Sequence, residues 1–148
     1  MLDFIKKIPV PFAGLMLAMA ATGNLLSSYS QLWHTIFGSI AFVMFLLWLV
    51  KLFCFPKILF EDLKNPVLAS ISGAFLMGTF FVSVYLKTFI GKFAEGLWFL
   101  GILAYAVLII YFTLKFVLKL KIKDVYAGYL IVYVGPVAIA NTAPAFQL

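Results

Sequence analysis

The chain has no arginine, one cysteine, one histidine and five carboxylates in 148 residues. A single cysteine, Cys54, cannot close an intrachain disulfide, so no covalent staple is expected and the redox compartment is left open. All five acids (Asp3, Glu61, Asp62, Glu95 and Asp124) stand outside the long apolar stretches, and His34 has no Cys, Asp or Glu at ligand spacing. These absences argue against paired-carboxylate chemistry, a metal centre and an intramembrane proton relay, all of which need ionisable groups placed together. No nucleophile elbow or phosphate loop occurs either. The expectation is therefore no enzyme, no cofactor and no metal.

Apolar surface is what the chain has in excess. It is 66% hydrophobic and 11% charged, with mean hydropathy +1.15, and a soluble domain of this composition would lack the polar surface to cover itself. An integral membrane protein follows. Crossing the hydrocarbon takes about 20 helical residues, and five stretches qualify: 9–28, 36–55, 67–86, 98–117 and 126–146. They leave only short connectors, so residues 1–148 read as one transmembrane domain, all-α and polytopic. Lys6 and Lys7 precede an apolar run containing Ala18-Met19-Ala20, which has the form of a leader cleavage site. The run continues through Leu25 and Leu26 to spanning length, and an uncleaved first span is the better reading.

The formal charge of +6 comes from lysine alone. Lys6 and Lys7 precede the first span; Lys51, Lys57 and Lys64 surround the second connector; Lys115, Lys119, Lys121 and Lys123 surround the fourth. The first connector has none and the third only Lys87 and Lys92. By the positive-inside rule the N-terminus is cytoplasmic, in what is expected to be a prokaryotic inner (plasma) membrane. The basic excess is explained by topology without a nucleic-acid partner.

The spans are of two kinds. The first, third and fifth carry Gly, Ala, Ser and Thr throughout, whereas the second and fourth are bulky and aromatic. Lipid gives helices no hydrophobic reason to associate, so small residues mark faces turned to other helices or to a pore. The small-rich spans begin near Pro9, Val67 and Tyr126, at intervals of 58 and 59 residues. This is an inner and outer helical hairpin repeated twice and begun again. Hairpins set side by side form part of a ring, and two and a half of them do not close one.

The run Ile8-Pro9-Val10-Pro11-Phe12-Ala13-Gly14-Leu15, followed by Ala18-Met19-Ala20-Ala21-Thr22-Gly23-Asn24-Leu25, resembles the first helix of the tellurite-resistance/dicarboxylate transporter family, which includes the slow anion channels. Gly135-Pro136-Val137-Ala138 and Asn141-Thr142-Ala143-Pro144 resemble its fifth helix. The resemblance covers the first half of a usual member. It implies a ten-helix subunit whose odd-numbered helices line a pore for small anions (halides, oxyanions or dicarboxylates), commonly as a homo-trimer. The chain would then be incomplete: either a complementary half-chain or further copies of itself complete the ring, or it is part of a longer polypeptide. The family's gating phenylalanine lies in a ninth helix that has no counterpart here.

Polar and small groups inside the odd spans are the candidate transport path: Gly14, Ala18 and Asn24 in the first, Ser72, Phe75, Thr79 and Ser83 in the third, Pro136 and Asn141 in the fifth. Ser72, Phe75, Thr79 and Ser83 recur at three- and four-residue intervals and so share a face. Hydroxyl and amide donors replace part of an anion's hydration without the trap of a full charge. The same groups also serve simply as hydrogen-bond partners between helices. Phe75 reads either as a constriction or as chance, given 17 phenylalanines. Pro136 breaks the helix ladder, and in lipid the freed carbonyl needs a partner. Trp33, Trp98, Tyr29, Tyr85 and Tyr126 suit the interfacial aromatic belt. Two functions remain: a segment of an anion channel or transporter, or a non-conducting membrane partner whose small-rich helices dock on another protein.

Overall fold

The computed structural model describes residues 8–118 and 126–147, and among these it contains helices and no strand. α1 spans Phe12–Leu26, α2 Gln31–Cys54, α3 Pro56–Asp62, α4 Pro66–Ile90, α5 Lys92–Phe112 and α6 Tyr129–Thr142. A π turn, Thr113–Val117, prolongs α5, and a 3-10 turn, Ala143–Phe146, prolongs α6. So extended, α2, α4, α5 and α6 are each long and apolar enough to cross a membrane, and α1 is a shorter apolar helix. The protein is thus an all-α polytopic membrane protein with about five spans. Lys6, Lys7, Lys119, Lys121 and Lys123, on which much of the topology argument rests, lie outside the described residues, as do Asp3 and Asp124.

The connectors differ from the sequence reading. Residues 87–97 were expected to join the third and fourth spans, but α4 continues through Lys87 to Ile90 and α5 begins at Lys92. Gly91 alone makes the turn, at φ 48° and ψ −112°, a conformation in which a Cβ would be strained. The long second connector folds into α3. α4 then starts where the local chemistry starts it: Asn65 Oδ1 accepts from the Val67 N–H at 2.9 Å, and Pro66 takes the first helical position, where its missing N–H costs nothing.

α4 is the central helix. Of its most apolar stretch 67% is buried, against 33% for α2 and 28% for α5 and α6. α1 and α6 pack on two sides of α4, so the small-residue spans form a row. The bulky helices complete the hairpins, α2 against α1 and α4, α5 against α4 and α6. Small residues set these distances. A Cβ at Gly78 would overlap the Met16 methyl and stand 3.5 Å from the Leu17 Cα of α1. One at Gly23 would lie 3.2 Å from the Gly38 backbone nitrogen of α2. Gly38 in turn leaves room for the Tyr85 ring of α4.

Candidate permeation path

The α4 stripe does share a face, and that face looks toward the bulky helices. Phe75 stacks on Trp48 and Phe45 of α2, with centroids 4.2 and 5.6 Å away. Ser72, Phe75 and Thr79 form the floor of a crevice of about 470 Å³ between α2 and α5. Its walls include Trp48 and Leu52 on one side and Ala104 and Leu108 on the other. The hydroxyls bond within their own helix: Ser72 donates to the Leu68 carbonyl at 3.0 Å, Thr79 to Phe75 at 3.0 Å and Ser83 to Thr79 at 2.7 Å. Ser83 is fully buried. A hydroxyl bonded back to the preceding turn keeps its lone pairs but has no free proton for an anion.

The other candidates lie on α1 and α6. Ala18 is exposed, and nothing lies within 4 Å of where a Cβ on Gly14 would stand. Those two are on the face of α1 turned away from buried Ala13, Met16 and Ala20. Asn24 instead joins helices: its Nδ2 donates to the Ala20 carbonyl at 3.0 Å and to Phe81 of α4 at 3.2 Å. Pro136 and Asn141 are exposed on α6, whose packed face carries Val132, Gly135, Ala138 and Thr142. The structure therefore brings Ser72, Phe75 and Thr79 together on one side of α4 and leaves Gly14, Ala18, Pro136 and Asn141 on open helix faces.

Around Pro136 the helix continues, because a side chain replaces the missing donor. Without a Pro136 N–H the Val132 carbonyl has no helical partner, and the Tyr105 hydroxyl of α5 reaches it at 3.0 Å, with Ile131 O at 3.2 Å. A Cβ at Gly135 would collide with the Tyr105 ring, so glycine is what admits the tyrosine. Two residues therefore prepare the break and a third closes it.

Other fixing contacts were not legible in advance. Trp98 is buried against its neighbours, and its Nε1 donates to Thr142 Oγ1 at 2.9 Å, tying α5 to the end of α6. Tyr85 is likewise buried, with its hydroxyl 3.0 Å from Ser39 Oγ. Trp33, Tyr29 and Tyr126 are exposed, as a belt requires. Lys51 is 4% exposed, and its Nζ donates to the Ile8 carbonyl at 2.6 Å instead of reaching for water. Lys87 bonds the Ala145 carbonyl and sits 5.2 Å from the Phe146 ring centroid, so it anchors the chain after α6.

Small residues at helix contacts, bulky outer partners and a row of apolar α-helices define a polytopic membrane protein by class. The sequence matches the family described as voltage-dependent anion channel over residues 7–147, and the chain belongs to that family. It is a family of anion channels and transporters, in which the bilayer and a small anion are the natural partners. No curated protein and no solved structure matches the chain.

Proposed function

We propose that this chain supplies one sector of a path for small anions, with the open faces of α1 and α6 turned to the conduit and α4 standing as the spine between them. Gly14, Ala18, Pro136 and Asn141 line that sector; Phe75 packs the spine against α2, and the Ser72, Thr79 and Ser83 hydroxyls are spent within α4. Asn24 positions α1. The observation that carries the reading is the contrast among glycines. Gly23, Gly78 and Gly135 are each closed off by a neighbouring helix, while Gly14 faces open space on a helix whose other side is packed. Small residues on an open face cost packing in a membrane unless something passes or docks there.

In this reading the substrate is a halide, an oxyanion or a dicarboxylate. Further helices complete the ring, whether from the same polypeptide, a complementary half-chain or further copies of the protein, a trimer being the form that the family resemblance implies. The N-terminus is cytoplasmic, in a prokaryotic inner membrane. Lys51, Lys57, Lys64 and Lys115 stand at the ends of α2, α3 and α5 and the start of α4, which supports that sidedness. The test is anion flux in proteoliposomes containing the purified chain, alone and with a complementary half. Flux abolished by Ala18→Leu but retained in Ser72→Ala supports the assignment. The reverse pattern moves the path to the other face of α4, and no flux from any assembly leaves the non-conducting partner as the function.

A further inference from the structure

The crevice between α2 and α5 is deep, apolar along its length and finished differently at one end. About 470 Å³ is within the roughly 300–1,000 Å³ of small-ligand sites, and along α5 it runs from Leu97 to Tyr111, about 21 Å at 1.5 Å per residue. Gly101 and Ala104 of α5 and Ser72 and Thr79 of α4 are the small residues of its lining, among bulky Phe45, Trp48, Phe75 and Leu108. In its wall Trp48 is 2% exposed, and its indole nitrogen is, among the described residues, a buried side-chain atom without a hydrogen-bond partner.

The end at Tyr111 is polar and basic. Tyr111 lines the crevice, and its hydroxyl donates to the Leu63 carbonyl at 3.3 Å. Lys115 folds back from the π turn to bond that hydroxyl, with its ammonium 4.8 Å from the Tyr111 ring centroid and 5.2 Å from that of Phe116. α3 crosses the same end, bringing exposed Lys57 and Lys64 together with exposed Glu61 and half-buried Asp62. At the far end, by Leu97 and Leu100, the lining is apolar. A slot with a hydrocarbon body and a cation and hydroxyl at one membrane-facing end has the polarity of a lipid molecule.

We propose that this crevice is a binding site for an anionic phospholipid, one acyl chain lying between α2 and α5 over Phe75 and Ala104, and the phosphate held at Lys115 with Lys64 beside it. Phospholipids of this class meet basic groups at the cytoplasmic boundary, the side on which the sidedness proposed above puts Lys115. Lys51 contributes nothing to the site, because its ammonium is committed to the Ile8 carbonyl. The site stands independently of the anion path, since Gly14, Ala18, Pro136 and Asn141 are not among the residues that line it.

Trp48 is the reporter. The full chain is reconstituted in phosphatidylcholine vesicles containing increasing fractions of phosphatidylglycerol brominated midway along one acyl chain. The quenching specific to Trp48 is taken as the difference from Trp48→Phe. The expected result is half-maximal quenching at a mole fraction about fivefold below that for brominated phosphatidylcholine, the preference roughly one lysine gives near a charged surface. Lys115→Gln is expected to remove that preference while leaving α-helix content unchanged, and Ala104→Phe to reduce quenching by both lipids. Equal quenching by the two lipids in the native protein overturns the proposal, and needs no variant to fold. Competition by soluble glycerol phosphate without bromolipid quenching means an anion site with no lipid and also overturns it. Quenching that falls with rising protein-to-lipid ratio means a second copy occupies the crevice, which overturns it as well. Loss of flux would leave this result untouched, so the two proposals fail separately.

Discussion

The Tyr105 hydroxyl stands 3.0 Å from the Val132 carbonyl, the acceptor that Pro136 leaves without its helical N–H. A proline in a spanning helix is tolerable only when its freed carbonyl finds a donor inside the protein. Here the donor comes from the neighbouring outer helix, and Gly135 clears its path. The Pro136 site is therefore a joint between α5 and α6, built from the adjacent Gly135 and Pro136 and from Tyr105 about 30 residues earlier.

Tyr105→Phe keeps the ring and deletes the donor. An unsatisfied carbonyl in this position costs about 1–3 kcal/mol, so the variant is expected to melt at lower temperature when unfolding is followed by circular dichroism in detergent. Pro136→Ala restores an N–H to the Val132 carbonyl and makes the tyrosine redundant. In the double variant the loss from Tyr105→Phe should shrink to near zero, a coupling that a double-mutant cycle reads directly. Strict additivity of the two changes would show that the hydroxyl does not serve this carbonyl.

Gly135→Ala tests the same joint by volume. Its Cβ would overlap the Tyr105 ring, which is about 1% exposed and has nowhere to retreat. Overpacking of this kind costs about 1–3 kcal/mol. Pairing it with Tyr105→Ala should recover part of the stability, because the space refills. Gly14→Ala, with nothing near its Cβ, serves as the comparison and should hold or slightly raise the melting temperature.

Periodicity could establish that Ser72, Phe75, Thr79 and Ser83 share a face, and they do. It could not say which neighbour that face meets, because a helix has no sidedness until its partners are placed. Small residues marked helix contacts correctly at Gly23, Gly78 and Gly135, yet the bulky helices use the same device at Gly38 and Gly101, where Tyr85 and Phe80 fit. The Gly135-Pro136 pair announced a broken ladder, but its repair by Tyr105 lies about 30 residues earlier among seven tyrosines. Trp98 and Tyr85 have the composition of belt residues and are buried by partners, Thr142 and Ser39, that hydropathy does not register. Lys87, Lys92 and Glu95 interrupt the apolar run, so hydropathy alone stops short of the helix ends; the helices carry these residues through and need only Gly91 to turn.

Lys51→Met removes a buried ammonium and leaves the Ile8 carbonyl without its donor. Two effects oppose each other: desolvation of the charge is relieved, and an acceptor goes unpaired. Global stability is thus a poor readout, and local order is the better one. Hydrogen exchange at Phe12, Ala13 and Gly14, whose amides bond the Pro9, Val10 and Pro11 carbonyls at 3.0, 3.0 and 2.9 Å, should accelerate while α4 stays protected. Unchanged exchange at the start of α1 would mean that Ile8 is held by packing alone.

Thr142→Val deletes the acceptor for Trp98 while preserving shape. The indole N–H, 3% exposed as part of its residue, is then left unpaired at a cost of about 1–3 kcal/mol. The consequence should concentrate at the end of α6, where the 3-10 turn Ala143–Phe146 is also held by Lys87 and by the contact of Trp98 with the Phe146 ring at 5.3 Å. Fraying there exposes the indole, so Trp98 emission should shift to longer wavelength, read as the difference from Trp98→Phe. Thr142→Ser retains the acceptor and should keep the native spectrum. If valine and serine behave alike, the hydroxyl is not what orients Trp98, and its ring contact with Phe146 must hold the two helices together.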